Sequence, residues 1–116
     1  MKNFIVLIFI LTLIGCSSTR KIKNKDVTGM WEFPGTMVWI EIKPNNFVYQ
    51  CRVDKNGSIY NAVGILKKGI IYWEKRWGKD TIIMKNDTMR LNGLYGNYGY
   101  IRSSNKMAKK CLSPIN

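Results

Sequence analysis

Histidine is missing from this chain, and with it the commonest general base and the commonest metal ligand. Acidic residues are few, seven against nineteen lysines and arginines in 116 residues. Asp26, Glu32, Glu41, Asp54, Glu74, Asp80 and Asp87 are scattered without a close pair, so spacing sets up no carboxylate dyad. Glu41 and Glu74 are the two that could meet across strands as a glycosidase couple, but lysine or tryptophan accompanies each, which reads as solvated surface. No Cys–His pair, serine triad, glycine-rich phosphate loop or zinc spacing occurs. The sequence therefore points away from an enzyme and implies no metal or cofactor. Helical periodicity is also lacking beyond the N-terminal apolar run.

That run extends from Phe4 to Ile14, interrupted only by Thr12 and preceded by Lys2. A charged start and a short apolar stretch make a secretory signal, and the stretch is too short to span a bilayer. The residues closing it, Leu13-Ile14-Gly15-Cys16, resemble the lipobox of bacterial lipoproteins. The resemblance implies a signal peptide over 1–15, diacylglycerol on the Cys16 sulfur, cleavage before Cys16 and acylation of its new amine. The one prosthetic group expected is thus a covalent lipid on Cys16, with the acyl chains as the membrane anchor. By resemblance to lipoprotein sorting in diderm bacteria, in which an aspartate after the cysteine signals inner-membrane retention, Ser17 implies the outer membrane with the domain facing the periplasm.

The formal net charge is +12. Arg20, Lys21, Lys23 and Lys25 crowd the segment next to Cys16, and Lys106, Lys109 and Lys110 form a second cluster near the C-terminus. Basic residues beside an acyl anchor gain about 1 kcal/mol each at an anionic surface, so the expected partners are anionic lipid or an anionic envelope polymer. A solvated tether explains the same charge equally well. The same charge would suit nucleic acid in principle, but an exported, acylated chain rarely meets it, and no nucleic-acid partner is expected. Apart from Cys16, the cysteines are Cys51 and Cys111. In an exported domain such a pair reads as a disulfide, closing a loop of about 60 residues worth roughly 4 kcal/mol on a chain-entropy account.

From Thr28 to Ser103 short alternating or apolar runs are punctuated by Gly, Asn, Asp or Pro, the signature of an antiparallel meander. Strands are expected near 29–33, 37–43, 47–53, 59–67, 70–75, 81–85, 88–95 and 98–102. Alternation puts Val38, Ile40 and Ile42 on one side of the second strand and Trp39 and Glu41 on the other. In the third strand Phe47, Tyr49, Cys51 and Val53, read as its apolar face, oppose Val48, Gln50 and Arg52. Ala62 and Gly64 leave room for a bend or a close neighbour. Eight short strands with one apolar face must close or stack. The expected fold is all-β, a small up-and-down meander forming a barrel or flattened sandwich over 28–103. A flexible basic tether over 16–27 precedes it and a basic tail over 104–116 follows.

Gly29-Met30-Trp31, opening the first strand, resembles the Gly-x-Trp signature of lipocalins. In that family the tryptophan plugs the barrel bottom and an arginine at the end of the last strand packs on it; Arg102 stands where that arginine would be. The resemblance implies that Trp31 and Arg102 form a barrel-closing pair, and that the domain binds an apolar small molecule. Trp39, Trp73 and Trp77, with the tyrosines Tyr95, Tyr98 and Tyr100, are candidate ligand or partner contacts, although core packing accounts for aromatics just as readily. Three functions follow. The first is lipocalin-like binding of an apolar or envelope-derived ligand. The second is a structural or interaction lipoprotein touching an anionic polymer or assembly partner. The third is an inhibitor or immunity lipoprotein, with lysozyme disfavoured as a target because like charges repel.

Overall fold

Short connections dictate the topology, since strands joined by tight turns can only fold back on their neighbours. Lys68-Gly69 is among the tightest of these, a two-residue link with both residues in the left-handed region (φ 52° and 76°), which matches the natural twist of a hairpin. The computed structural model describes residues 22–74, 78–93 and 96–113. Eight strands follow in order: β1 (Gly29–Glu32), β2 (Val38–Ile42), β3 (Phe47–Val53), β4 (Ile59–Lys67), β5 (Ile70–Trp73), β6 (Lys79–Lys85), β7 (Thr88–Gly93) and β8 (Gly96–Arg102). Each pairs antiparallel with the next, and β8 returns to β1. The sheet is a closed up-and-down barrel, so the sandwich alternative is set aside. Closure leaves no sheet edge open to pairing with another chain.

Eight strands enclose a space just wide enough to be filled by side chains or to hold one small ligand. Here one half is filled. Trp31, fully buried, sits among Ile40, Ile42, Val48, Ile71 and Met89. Its Nε1 donates to Val27 O at 2.8 Å, and the Arg102 guanidinium lies 4.0 Å from the ring centroid on the outer side. Arg102 also donates to Thr28 O and Asp26 O, tying the end of β8 to the chain entering β1. Gly29 is required there. Its φ is +126°, and a Cβ would stand 2.8 Å from Arg102 Nη1.

The sequence reading needs four corrections. The expected flexible tether ends earlier, because Asn24–Val27 forms a helical turn, α1, with Val27 buried and Ile22 packed on the core. Lys23 N–H bonds to the Asp26 carboxylate at 3.1 Å, and Asn24 Nδ2 reaches Lys43 O and Asn46 Oδ1 in the β2–β3 turn. One turn is too short to show a period. Likewise, the tail contains a helix, α2 (Lys106–Leu112), started by the Asn105 side chain accepting from Met107 N–H. Third, the face of β3 is inverted. Register sets Val38 opposite Arg52, Ile40 opposite Gln50 and Ile42 opposite Val48, so the polar side of β3 faces inward. Fourth, Trp39 is on the outer side of its strand, as alternation requires, but it is only 2% exposed and is packed as core where an open contact surface was expected. Helix α2 covers it. Trp39, Cys51, Ala108, Cys111 and Leu112 make a second apolar core outside the barrel, stapled by the Cys51–Cys111 disulfide with Cα atoms 6.0 Å apart.

Candidate functional site

The hairpin ends opposite Trp31 form the mouth of the barrel, and there the interior stays open. Phe33 follows β1, Val38 begins β2, Gln50 and Arg52 project from β3, and Trp73 ends β5. Asp80 of β6, Leu91 of β7, and Tyr98 and Tyr100 of β8 complete a cup of about 520 Å³. That volume lies within the range of small-molecule sites.

Local packing explains how these side chains are held. Trp73 Nε1 donates to Asp80 Oδ2 at 2.7 Å, fixing both groups on adjoining strands. Two residues make room for that pair. A Cβ on Gly64 would stand 2.9 Å from Trp73 Cε3, and a Cβ on Gly93 would strike the Asp80 carboxylate. Phe33 meets Tyr98 edge-on and Tyr100 at a tilt, each with centroids 5.5 Å apart. Tyr100 is nearly inaccessible, and burial, followed by the charge of Asp80 and then Tyr98, raises its hydroxyl well above the ordinary tyrosine range. It is therefore a neutral hydroxyl throughout the physiological range. At the rim the Arg52 guanidinium lies 4.8 Å from the Tyr60 ring centroid, and its Nε is 3.6 Å from Asp54 Oδ1.

Among the described residues, the cup thus presents one carboxylate, one guanidinium, one amide and two phenols around an aromatic and aliphatic wall. A few fixed polar groups on an apolar surface suit an amphipathic molecule. Glu41 and Glu74 are not brought together. Glu41 is on the outer face of β2 beside Lys43, 3.3 Å from its Nζ, while Glu74 is exposed beyond the mouth end of β5. A shallower groove of about 760 Å³ runs outside the barrel between Met37, Lys55 and Met107. Its carboxylates are already engaged, Glu32 by Trp39 Nε1 and Asp54 by Arg52.

Of the residues singled out by sequence, Trp31 meets Arg102, Cys51 meets Cys111, and Trp73 lines the cup. Lys23 caps α1 and Lys25 lies within it at the closed end, whereas Lys106, Lys109 and Lys110 are exposed on α2 along the side wall. The signal peptide, Cys16, Arg20, Lys21, Trp77 and Tyr95 lie outside the described residues. Sequence reasoning missed Phe33, Gln50, Arg52 and Asp80 as cup residues. The β2–β3 turn carried a signal for Gln50 and Arg52, because a register counted back from it pairs them with Ile40 and Val38.

The sequence matches no family model and no curated protein. A crystal structure of an uncharacterized protein from Bacteroides eggerthii is similar at 15% identity and a TM-score of 0.46, covering 67% of this chain and 100% of that one. A likeness of that size carries no argument about function.

Proposed function

We propose that this chain is a lipid-anchored, non-enzymatic binding protein of the bacterial envelope, whose barrel mouth holds a small amphipathic ligand, apolar or envelope-derived. One observation carries the reading: the barrel is packed at the Trp31 end and open at the other, where Arg52 and Asp80 stand on an aromatic wall. The apolar body of a ligand gains from Phe33, Leu91 and Tyr98, while an anionic or hydrogen-bonding head suits Arg52 at the rim. The anchor rests on the Leu13-Ile14-Gly15-Cys16 motif, and outer-membrane placement on Ser17. A second reading, contact with an anionic envelope polymer, draws support from the +12 charge.

Native mass spectrometry of protein released gently from the envelope tests the first reading. A bound small molecule should accompany the wild type, and Arg52→Met should reduce its occupancy about tenfold, as expected for loss of a charge-assisted contact. Protein recovered without any ligand, and indifferent to an anionic naphthalene sulfonate probe, would leave the cup without a binding role.

A further inference from the structure

The two ends of the barrel differ in charge as well as in packing. At the closed end Lys23, Lys25, Lys67, Lys68 and Lys85 are exposed, with Lys43 paired to Glu41, against the acidic Asp26 and Asp87. At the mouth the described charges balance more nearly, Arg52, Lys55 and Lys79 meeting Glu32, Asp54, Glu74 and Asp80. Next to the closed-end lysines, the outer wall of β3, β4 and β5 carries large apolar groups in the open. Phe47 is 41% exposed, Ile65 49% and Tyr72 44%, and the register places Phe47 beside Ile65 and Ile65 beside Tyr72. Phe47 stacks on Tyr49 with centroids 6.4 Å apart. Aromatic rings flanked by lysines are the composition that suits the headgroup level of a bilayer.

The chain's own route leads to the same end. Ile22 packs on the core beside Gly69, in the turn between β4 and β5. Ile22 lies only six positions after Cys16, a reach of about 20 Å when fully extended. We propose that the closed end and the adjoining outer wall of β3–β5 form a docking face for anionic lipid headgroups, so that the mouth points away from the membrane. The geometry of the tether rests on Cys16 being the acylated residue; the charge and the apolar wall do not.

Lysine-selective acylation read by peptide mass spectrometry tests this on the intact acylated protein in vesicles. On phosphatidylcholine containing phosphatidylglycerol, Lys67, Lys68 and Lys85 should label at least about fivefold more slowly than on phosphatidylcholine alone, the factor a single lysine gains at an anionic surface. Lys55 and Lys79, at the mouth, should change less than about twofold on the same argument. Replacing Phe47 and Tyr72 by serine should weaken the protection while leaving the melting temperature nearly unchanged. Equal labelling at both ends, or protection at the mouth, would overturn the orientation. A shift from dimer to monomer on the same serine substitutions would assign the wall to a second protein copy and equally overturn it. Should the recovered chain carry no acyl groups, the anchoring reading fails by itself. The docking face is then decided by whether that unacylated chain floats with anionic vesicles and not with neutral ones.

Discussion

The closed end and the mouth of this barrel are built from the same eight strands, yet they use tryptophan in opposite ways. At the closed end Trp31 is fully buried, its N–H is satisfied by Val27 O, and its outer face is covered by Arg102. At the mouth Trp73 is half-buried, and its N–H orients a carboxylate toward an open cup. One ring fills space and the other arranges polar groups around empty space. The difference shows how a small barrel divides its labour. Packing at one end supplies the stability that leaves the other end free to stay unfilled.

Removing the plug should break the comparison most severely. Trp31→Ala deletes the largest fully buried side chain and should cost about 3–5 kcal/mol, a large part of the stability of a small domain, as read by urea unfolding. Replacing Cys51 and Cys111 together by alanine should cost about 2–4 kcal/mol and loosen α2 over Trp39. Limited proteolysis would show the freed helix as early cleavage near Lys109, with the barrel intact. Arg102→Met keeps most of the packing but removes the cation and its bonds to Thr28 O and Asp26 O, and should cost about 1–3 kcal/mol. A double-mutant cycle with Trp31→Phe should give a non-zero coupling, since both residues share one contact; simple additivity would deny it.

The seam explains why Arg102 matters for its size. β1 and β8 share only two paired positions, Trp31 with Arg102 and Glu32 with Ile101, extended by Ser103 N–H to Met30 O at 3.0 Å. A short seam gains proportionately from side-chain bonds that cross it.

A smaller effect should separate the ends by pH. Tyr100 holds its proton more tightly when folded than when unfolded, so its contribution to stability is complete below the ordinary tyrosine value of about 10 and is lost as pH rises through and above it. The wild type should therefore lose stability above about pH 10 faster than Tyr100→Phe does. Parallel loss in both would show that burial of this hydroxyl does not govern the alkaline limb.

Much of the fold was legible because turn residues and period-two runs constrain a meander tightly. The bounds of β3 and β4 agree with the alternation itself, and the Trp31–Arg102 juxtaposition follows from closing the first strand on the last. Two things were hidden. Alternation separates the faces of a strand without saying which one is inside, and in β3 the more apolar face lies outside, where α2 and the disulfide cover part of it. Helix α2 was visible in retrospect, since Ala108, Cys111 and Leu112 repeat at helical spacing behind the Asn105 cap. The cup was illegible for a related reason. Arg52 and Asp80 look like ordinary surface charges until register places them on the inner wall.

The most direct test measures unfolding free energy and probe binding side by side in Arg102→Met and Arg52→Met, using urea titration and an anionic naphthalene sulfonate. A crossed result is expected: Arg102→Met loses stability but still binds the probe when folded, and Arg52→Met keeps its stability within about 0.5 kcal/mol while binding falls about tenfold. If both variants lose stability and binding in proportion, the two ends are one cooperative structure and the division drawn between them is wrong.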